Sequence, residues 1–152
     1  FCSDRSISGG SGYLITPTTY YGDFNRNLNR RTPSLKCAQD NDKFKASNTS
    51  AKLDYPISLI TADEVAMAGG VYNTPNSNYY LYNGQYFWTL SPSYFSSSYS
   101  CAIVLDVLPS GGLLNWSNVT NSFGARPVIN LKADTLITKG DGTALNPYVV
   151  KS

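Results

Sequence analysis

The sequence predicts an α+β domain, with a small twisted antiparallel sheet, one short capped helix and long loops. Three observations carry this. A helix start and stop are written into residues 61–70. There Thr61 and Glu64 have the T-x-x-E spacing in which each side chain satisfies a backbone donor at the other's position. Runs dense in aromatic and β-branched residues then recur at 85–90, 102–108, 113–116 and 126–131, as strands require. Residues 1–55, by contrast, are punctuated by turn signals such as Gly9-Gly10-Ser11-Gly12, Thr32-Pro33 and Asn41-Asp42.

Taken in order, residues 23–31 predict one short polar helix with Asp23 as its cap, and residues 43–45 a short edge strand. Residues 55–60 form an extended lead-in to the capped helix. In that helix Asp63 and Glu64 face the positive end of the dipole, residues 65–68 supply the apolar body, and Gly69 ends it. After a loop at 73–78, residues 85–90 are the expected core strand, ending before Pro92. Residues 102–108 and 113–116 form a hairpin around the turn Ser110-Gly111-Gly112. The strand at 126–131 places Pro127 at an edge or bulge. Residues 136–150 read as two short strands around a glycine turn.

At 152 residues the chain suits a single domain, 1–152. Only 14% of residues are charged while 12 are tyrosine, a balance closer to an extracellular binding module than to a cytosolic enzyme. With a net charge of +2 and no basic cluster beyond Arg30-Arg31, nucleic acid is not an expected partner. The absence of histidine removes the commonest general base and zinc ligand, so neither catalytic residues, metal ligands nor cofactors are expected. No apolar run reaches the roughly 20 residues of a membrane span. The opening Phe1-Cys2-Ser3-Asp4-Arg5 reads as the start of the C-terminal part of a longer protein, whose remainder or assembly is then an expected partner.

Of the three cysteines, Cys2 and Cys37 both lie in the polar N-terminal region, which has few apolar residues to hold it down. A Cys2–Cys37 disulfide is expected to stabilise that region by roughly 2–4 kcal/mol; the alternative is two buried free thiols. Cys101 is left unpaired, either a small buried hydrophobe at a strand start or a chance residue at a variable position.

The tract Ser91-Pro92-Ser93-Tyr94-Phe95-Ser96-Ser97-Ser98-Tyr99-Ser100 mixes rigid aromatics with small adaptable polar residues, and residues 113–120 add more. That composition suits a binding surface. Residues 93–121 are therefore the candidate binding segment, with Tyr94, Phe95, Ser97, Tyr99, Asn115, Trp116 and Asn118 as candidate ligand contacts. The competing reading is a solvated loop, with Trp116 packed inside the sheet. Arg126 is expected to tie loop carbonyls together. Helix capping accounts for Asp63 and Glu64 without catalysis.

Several motifs point to a family. Leu59-Ile60-Thr61-x-x-Glu64-x-x-x-Ala68-x-Gly70, an aromatic strand and Gly124-Ala125-Arg126 occur in the order found in formylglycine-generating-enzyme-type domains, which have the C-type lectin-like fold. More specifically, Trp88-Thr89-Leu90-Ser91-Pro92, Gly124-Ala125-Arg126-Pro127-Val128-Ile129-Asn130-Leu131 and the stretch 140–149 resemble motifs of a group of bacterial surface proteins. Together they cover about half the chain. The resemblance implies a C-type lectin-like fold whose excursion between the anchors is the ligand-binding face.

Some such proteins are targets of diversity-generating retroelements. Positions including Tyr94, Tyr99, Cys101, Ile103, Leu105 and Trp116 lie where that diversity falls. Lectin-type calcium signatures are absent, and the enzyme's copper-binding cysteine pair has no counterpart at Cys101. The leading expectation is a non-enzymatic adhesin or receptor-binding domain, displayed extracellularly on a bacterial cell surface or phage particle, with a protein or glycan ligand. The alternatives are a structural or decorating domain of a surface filament or pilus, and a degenerate formylglycine-generating-type enzyme.

Overall fold

The computed structural model describes residues 1–12, 17–49, 51–143 and 145–151, with the Asn115 side chain outside that set. It is a mixed α+β chain in which strands predominate. Strands β1 (Ile7–Gly9), β2 (Thr19–Tyr21), β4 (Phe87–Ser96), β5 (Cys101–Val107) and β6 (Leu113–Asn118) form an antiparallel sheet in the order β1-β2-β4-β5-β6. Two smaller antiparallel pairs join β3 (Ile57–Leu59) to β7 (Pro127–Ile129), and β8 (Ile137–Lys139) to β9 (Val149–Val150). Pro127 opens β7 in a two-stranded pair, where a missing N–H does no harm.

The capped helix forms as its sequence requires. In α2 (Ala62–Ala68) the Glu64 amide donates to Thr61 Oγ1 at 3.2 Å, and the Thr61 amide donates to Glu64 Oε2 at 2.8 Å. A further free amide of the first turn, that of Ala62, donates to Ser91 Oγ on β4 at 3.0 Å. Ala62 and Val65 lie one turn apart and face inward, while Met67 faces out. They pack with Phe87, Leu105, Val107 and Leu113, the centre of the core. Each large apolar side chain so buried stabilises the fold by about 1.5–3 kcal/mol.

The β4 strand departs from expectation by running straight through Pro92. The register explains how. Between the Trp88–Asp106 and Pro92–Val104 pairs β4 advances four residues against two on β5, so the proline falls at an irregularity where no ladder bond is asked of it. Thr89, Ser91 and Ser93 alternate inward and are buried, so the serines are the small inner face on which α2 starts. The tract is therefore strand followed by a four-residue turn, and the solvated-loop reading fails.

In the N-terminal region the expected Cys2–Cys37 disulfide is present, but three expectations need correction. Strands β1 and β2 lie in stretches read as loop, with β2 paired directly to β4. Asp23 is not a cap. The helix α1 (Gly22–Phe24) starts after an extended Tyr21, continues as wider turns over Asn25–Arg30, and buries Asp23 inside its first turn. Residues 43–45 make only isolated bridges, Cys2 to Lys43 and Lys45 to Lys52.

The β5–β6 hairpin turns where Ser110-Gly111-Gly112 predicts. Gly111 sits at φ +87°, and a Cβ there would stand 1.7 Å from the Asn76 carbonyl oxygen, so the loop before β4 can close on it. Tyr79 Oη donates to the Gly111 carbonyl at 2.8 Å and locks that contact. Arg126 behaves as expected, donating to the Leu81 carbonyl with its guanidinium 4.8 Å from the Phe87 ring centre.

Candidate functional site

The seven candidate contacts fall on the β4–β5–β6 side of the main sheet, but in different environments. Tyr94 stands opposite Ile103, which stands opposite Asn118, so these three form one cross-strand row. The Tyr94 ring packs against Tyr20 at 5.7 Å and edge-on against Phe24 at 5.9 Å. Burial pushes its phenol pKa up. Phe95 lies between Ala102 and Thr19 in the register and, with Arg5, Tyr21 and Pro92, lines a shallow cavity of about 290 Å³. Ser97 opens the β4–β5 turn, its hydroxyl 2.8 Å from that of Thr18. Asn118 Oδ1 accepts from the Thr120 amide at 3.2 Å. These four are held by the frame.

Tyr99 and Trp116 are different. Tyr99 is 81% exposed in the turn and Trp116 69% exposed on β6, so Trp116 is not packed inside the sheet. Asn115 is on β6, with its side chain outside the described residues. Between the Val104–Ser117 and Asp106–Leu114 pairs, β6 advances three residues against two on β5. The extra residue falls within Asn115-Trp116, so Trp116 projects from a bulge. Ile103 and Leu105, among the positions where diversity was expected, are buried core. Cys101 is a free, half-buried residue at the first position of β5.

Beneath this bulge lies a group the sequence reading passed over. Asp106, opposite both Trp88 and Leu114, is fully buried (0% exposed), and neither carboxylate oxygen meets a hydrogen-bond donor among the described residues. Burial raises its pKa from 3.8 to about 6, and the nearby Ser117 hydroxyl offsets only part of that. Its signal was present: one charge inside the apolar run Ile103-Val104-Leu105-Asp106-Val107-Leu108. Trp88 carries a stack, with Phe123 at 4.6 Å and Tyr86 beyond it at 4.7 Å.

The largest cavity described, about 440 Å³, lies elsewhere, beside Arg26 and the Cys2–Cys37 disulfide. Its wall is a buried charge network. Arg26 donates to Asp4, to Asp23 and, at 2.7 Å, to Asp63. Asp63 also accepts from Asn27 Nδ2 at 3.2 Å and from the Ser34 amide at 3.0 Å. Three carboxylates around one guanidinium do not all ionise. Burial, and then the neighbouring Asp63 carboxylate, push Asp23 up to about 8, so it keeps a proton. Burial alone would lower the Arg26 pKa, but the surrounding carboxylates outweigh it and hold the guanidinium charged. Hydrogen bonds from Ser6 and Arg26 keep Asp4 low despite its burial. Asp63 is thus spent on Arg26 and Glu64 on the helix cap.

Among the described residues no group of three or more Cys, Asp and Glu side chains is placed to hold a metal ion. No helix described is long and apolar enough to cross a membrane. No protein-family model, curated protein or solved structure matches the chain.

Proposed function

We propose that this domain is a non-enzymatic ligand-binding module of C-type lectin-like architecture, an adhesin or receptor-binding domain on a bacterial cell surface or phage particle. The observation that carries the reading is the pair Tyr99 and Trp116. Both are large aromatics left mostly in water, one on the β4–β5 turn and one on edge strand β6, whereas Trp88 and Tyr94 of the same sheet pack against other rings. Exposed tyrosine and tryptophan offer contact area at little entropic cost. Phe95, Ser97 and Asn118 supply the rim. The engagement of Asp63 and Glu64 favours binding over acid–base chemistry.

A second reading, a structural or decorating domain of a filament or pilus, draws on the exposed apolar side chains Leu136, Ile137, Tyr148, Val149 and Val150 of the C-terminal hairpin. One experiment separates the two. The domain is screened on glycan and surface-protein arrays, and the combined Tyr99→Ala, Trp116→Ala variant is run beside it. Loss of the array signal with an unchanged melting curve is the expected result. Undiminished binding would move the face elsewhere, and the filament reading makes the pair dispensable.

A further inference from the structure

The β5–β6 pairing has a weak point and a charge at the same place. Strand β6 is an edge of the main sheet. Its outer side is tied at Leu113, which bridges Tyr72 and exchanges hydrogen bonds with Val71 and Asn73. Beyond Leu113 the ladder to β5 is interrupted by the bulge at Asn115-Trp116, immediately after the Asp106–Leu114 pair. On the β5 side of that pair the Asp106 carboxyl is fully buried, and neither oxygen has a hydrogen-bond partner among the described residues.

We infer that Asp106 is a proton-operated latch on β6: the strand stays paired while the carboxyl is neutral, and loosens at its bulge when the carboxyl ionises, displacing Trp116. This rests on the reading of Trp116 as a ligand contact, whose presentation it would regulate.

The physical reason is solvation. A neutral carboxyl is tolerable without partners, whereas an unpaired buried carboxylate is costly enough that water must reach it or the fold must open. The cheapest opening is the one that frees the least ordered chain, and an interrupted edge ladder is that place. The side chains facing Asp106 are Trp88 on β4 and Leu114 and Ser117 on β6, with Phe123 and Tyr86 stacked outward from Trp88. None is a carboxylate, lysine or arginine, so among the described residues these neighbours supply no counter-charge. The sign follows from the raised pKa. Asp106 favours the closed pairing fully below its unfolded value of 3.8, and that contribution is lost as pH rises through about 6.

The test is amide hydrogen exchange from about pH 4 to about pH 8, expressed as protection factors. The α2 amides serve as the reference for global unfolding. In the wild-type domain protection at residues 114–118 should lie below that of α2, marking an opening short of global unfolding, and should fall by roughly tenfold to a hundredfold across that range. In Asp106→Asn that fall should vanish. Should that variant fail to fold, Asp106→Val places a β-branched apolar residue in the same strand and should give the same flat profile. Wild-type protection at 114–118 equal to that of α2 at the high-pH end, or a variant that keeps the wild-type slope, overturns the latch. Exchange needs no ligand, so this outcome is independent of whether Tyr99 and Trp116 bind anything.

Discussion

Around Arg26, three buried carboxylates share one guanidinium, whereas on β5 the buried carboxyl of Asp106 has no partner among the described residues. The first arrangement fastens four stretches of chain together. Asp4 belongs to the N-terminal segment, Asp23 and Arg26 to the first helical stretch and Asp63 to α2, and the Ser34 amide brings in the segment that carries Cys37. The second fastens nothing. Paired buried charges specify a frame, and an orphaned one beside an interrupted edge marks where the structure is ready to give. The exposed aromatics follow the same division. Tyr20, Phe24 and Tyr94 pack together beside the frame, while Trp116 stands on the bulge.

The strongest way to break this comparison is at its centre. Arg26→Met keeps the length of the side chain and removes the charge, leaving the Asp4 and Asp63 carboxylates buried without a counter-ion and the protonated Asp23 without its hydrogen-bond partner. Breaking a buried pair by removing one partner costs about 3–5 kcal/mol. The urea midpoint should fall steeply, or the domain should fail to fold near neutral pH. A variant with the wild-type midpoint would show that the network is incidental and the frame is held by apolar packing alone.

The next effect should come from the covalent part of the same region. The disulfide closes a separation of 35 residues. Cys37→Ser should cost roughly 2–4 kcal/mol, most of it through the unfolded chain. Wild-type protein under reducing conditions should lose a similar amount. Protection should drop first in the segment around Ser34, whose tie to Asp63 depends on that loop staying close. Uniform loss across the domain would mean that the two halves of the comparison are one cooperative unit.

These regions were not equally legible in the sequence. The cap on α2, the Gly111 turn and the cysteine pairing are local or nearly forced by composition, and they were read correctly. Arg126 was read from its setting. What failed was whatever depends on partners distant in sequence. Arg26 gives no sign of its role until Asp4 and Asp63 are brought to it from 22 and 37 residues away. The short strands β1 and β2 exist because β4 offers an edge, and their three-residue spans carry no period of their own. Pro92 was read by the usual rule against proline in strands, which the register irregularity suspends. The serines misled for a related reason. Their period of two was visible, but they read as the small adaptable part of a binding surface, whereas Ser91 and Ser93 are buried and let α2 start against β4.

The smallest effects test the aromatics one at a time. A combined replacement of Tyr94, Phe95 and Tyr99 mixes two kinds of residue. Tyr94→Ala removes a ring held between Tyr20 and Phe24 across β2 and α1. Such aromatic contacts contribute about 0.5–1.5 kcal/mol beyond the area they bury. A loss of roughly 1–3 kcal/mol is therefore expected in chemical denaturation. Tyr99→Ala and Trp116→Ala touch side chains already in water and should each stay within about 0.5 kcal/mol of wild type. If Tyr94→Ala proves silent, its ring is free to turn outward and belongs with the binding set after all. If Trp116→Ala costs as much as Tyr94→Ala, the indole supports the bulge, and the β6 edge is part of the frame it was contrasted with.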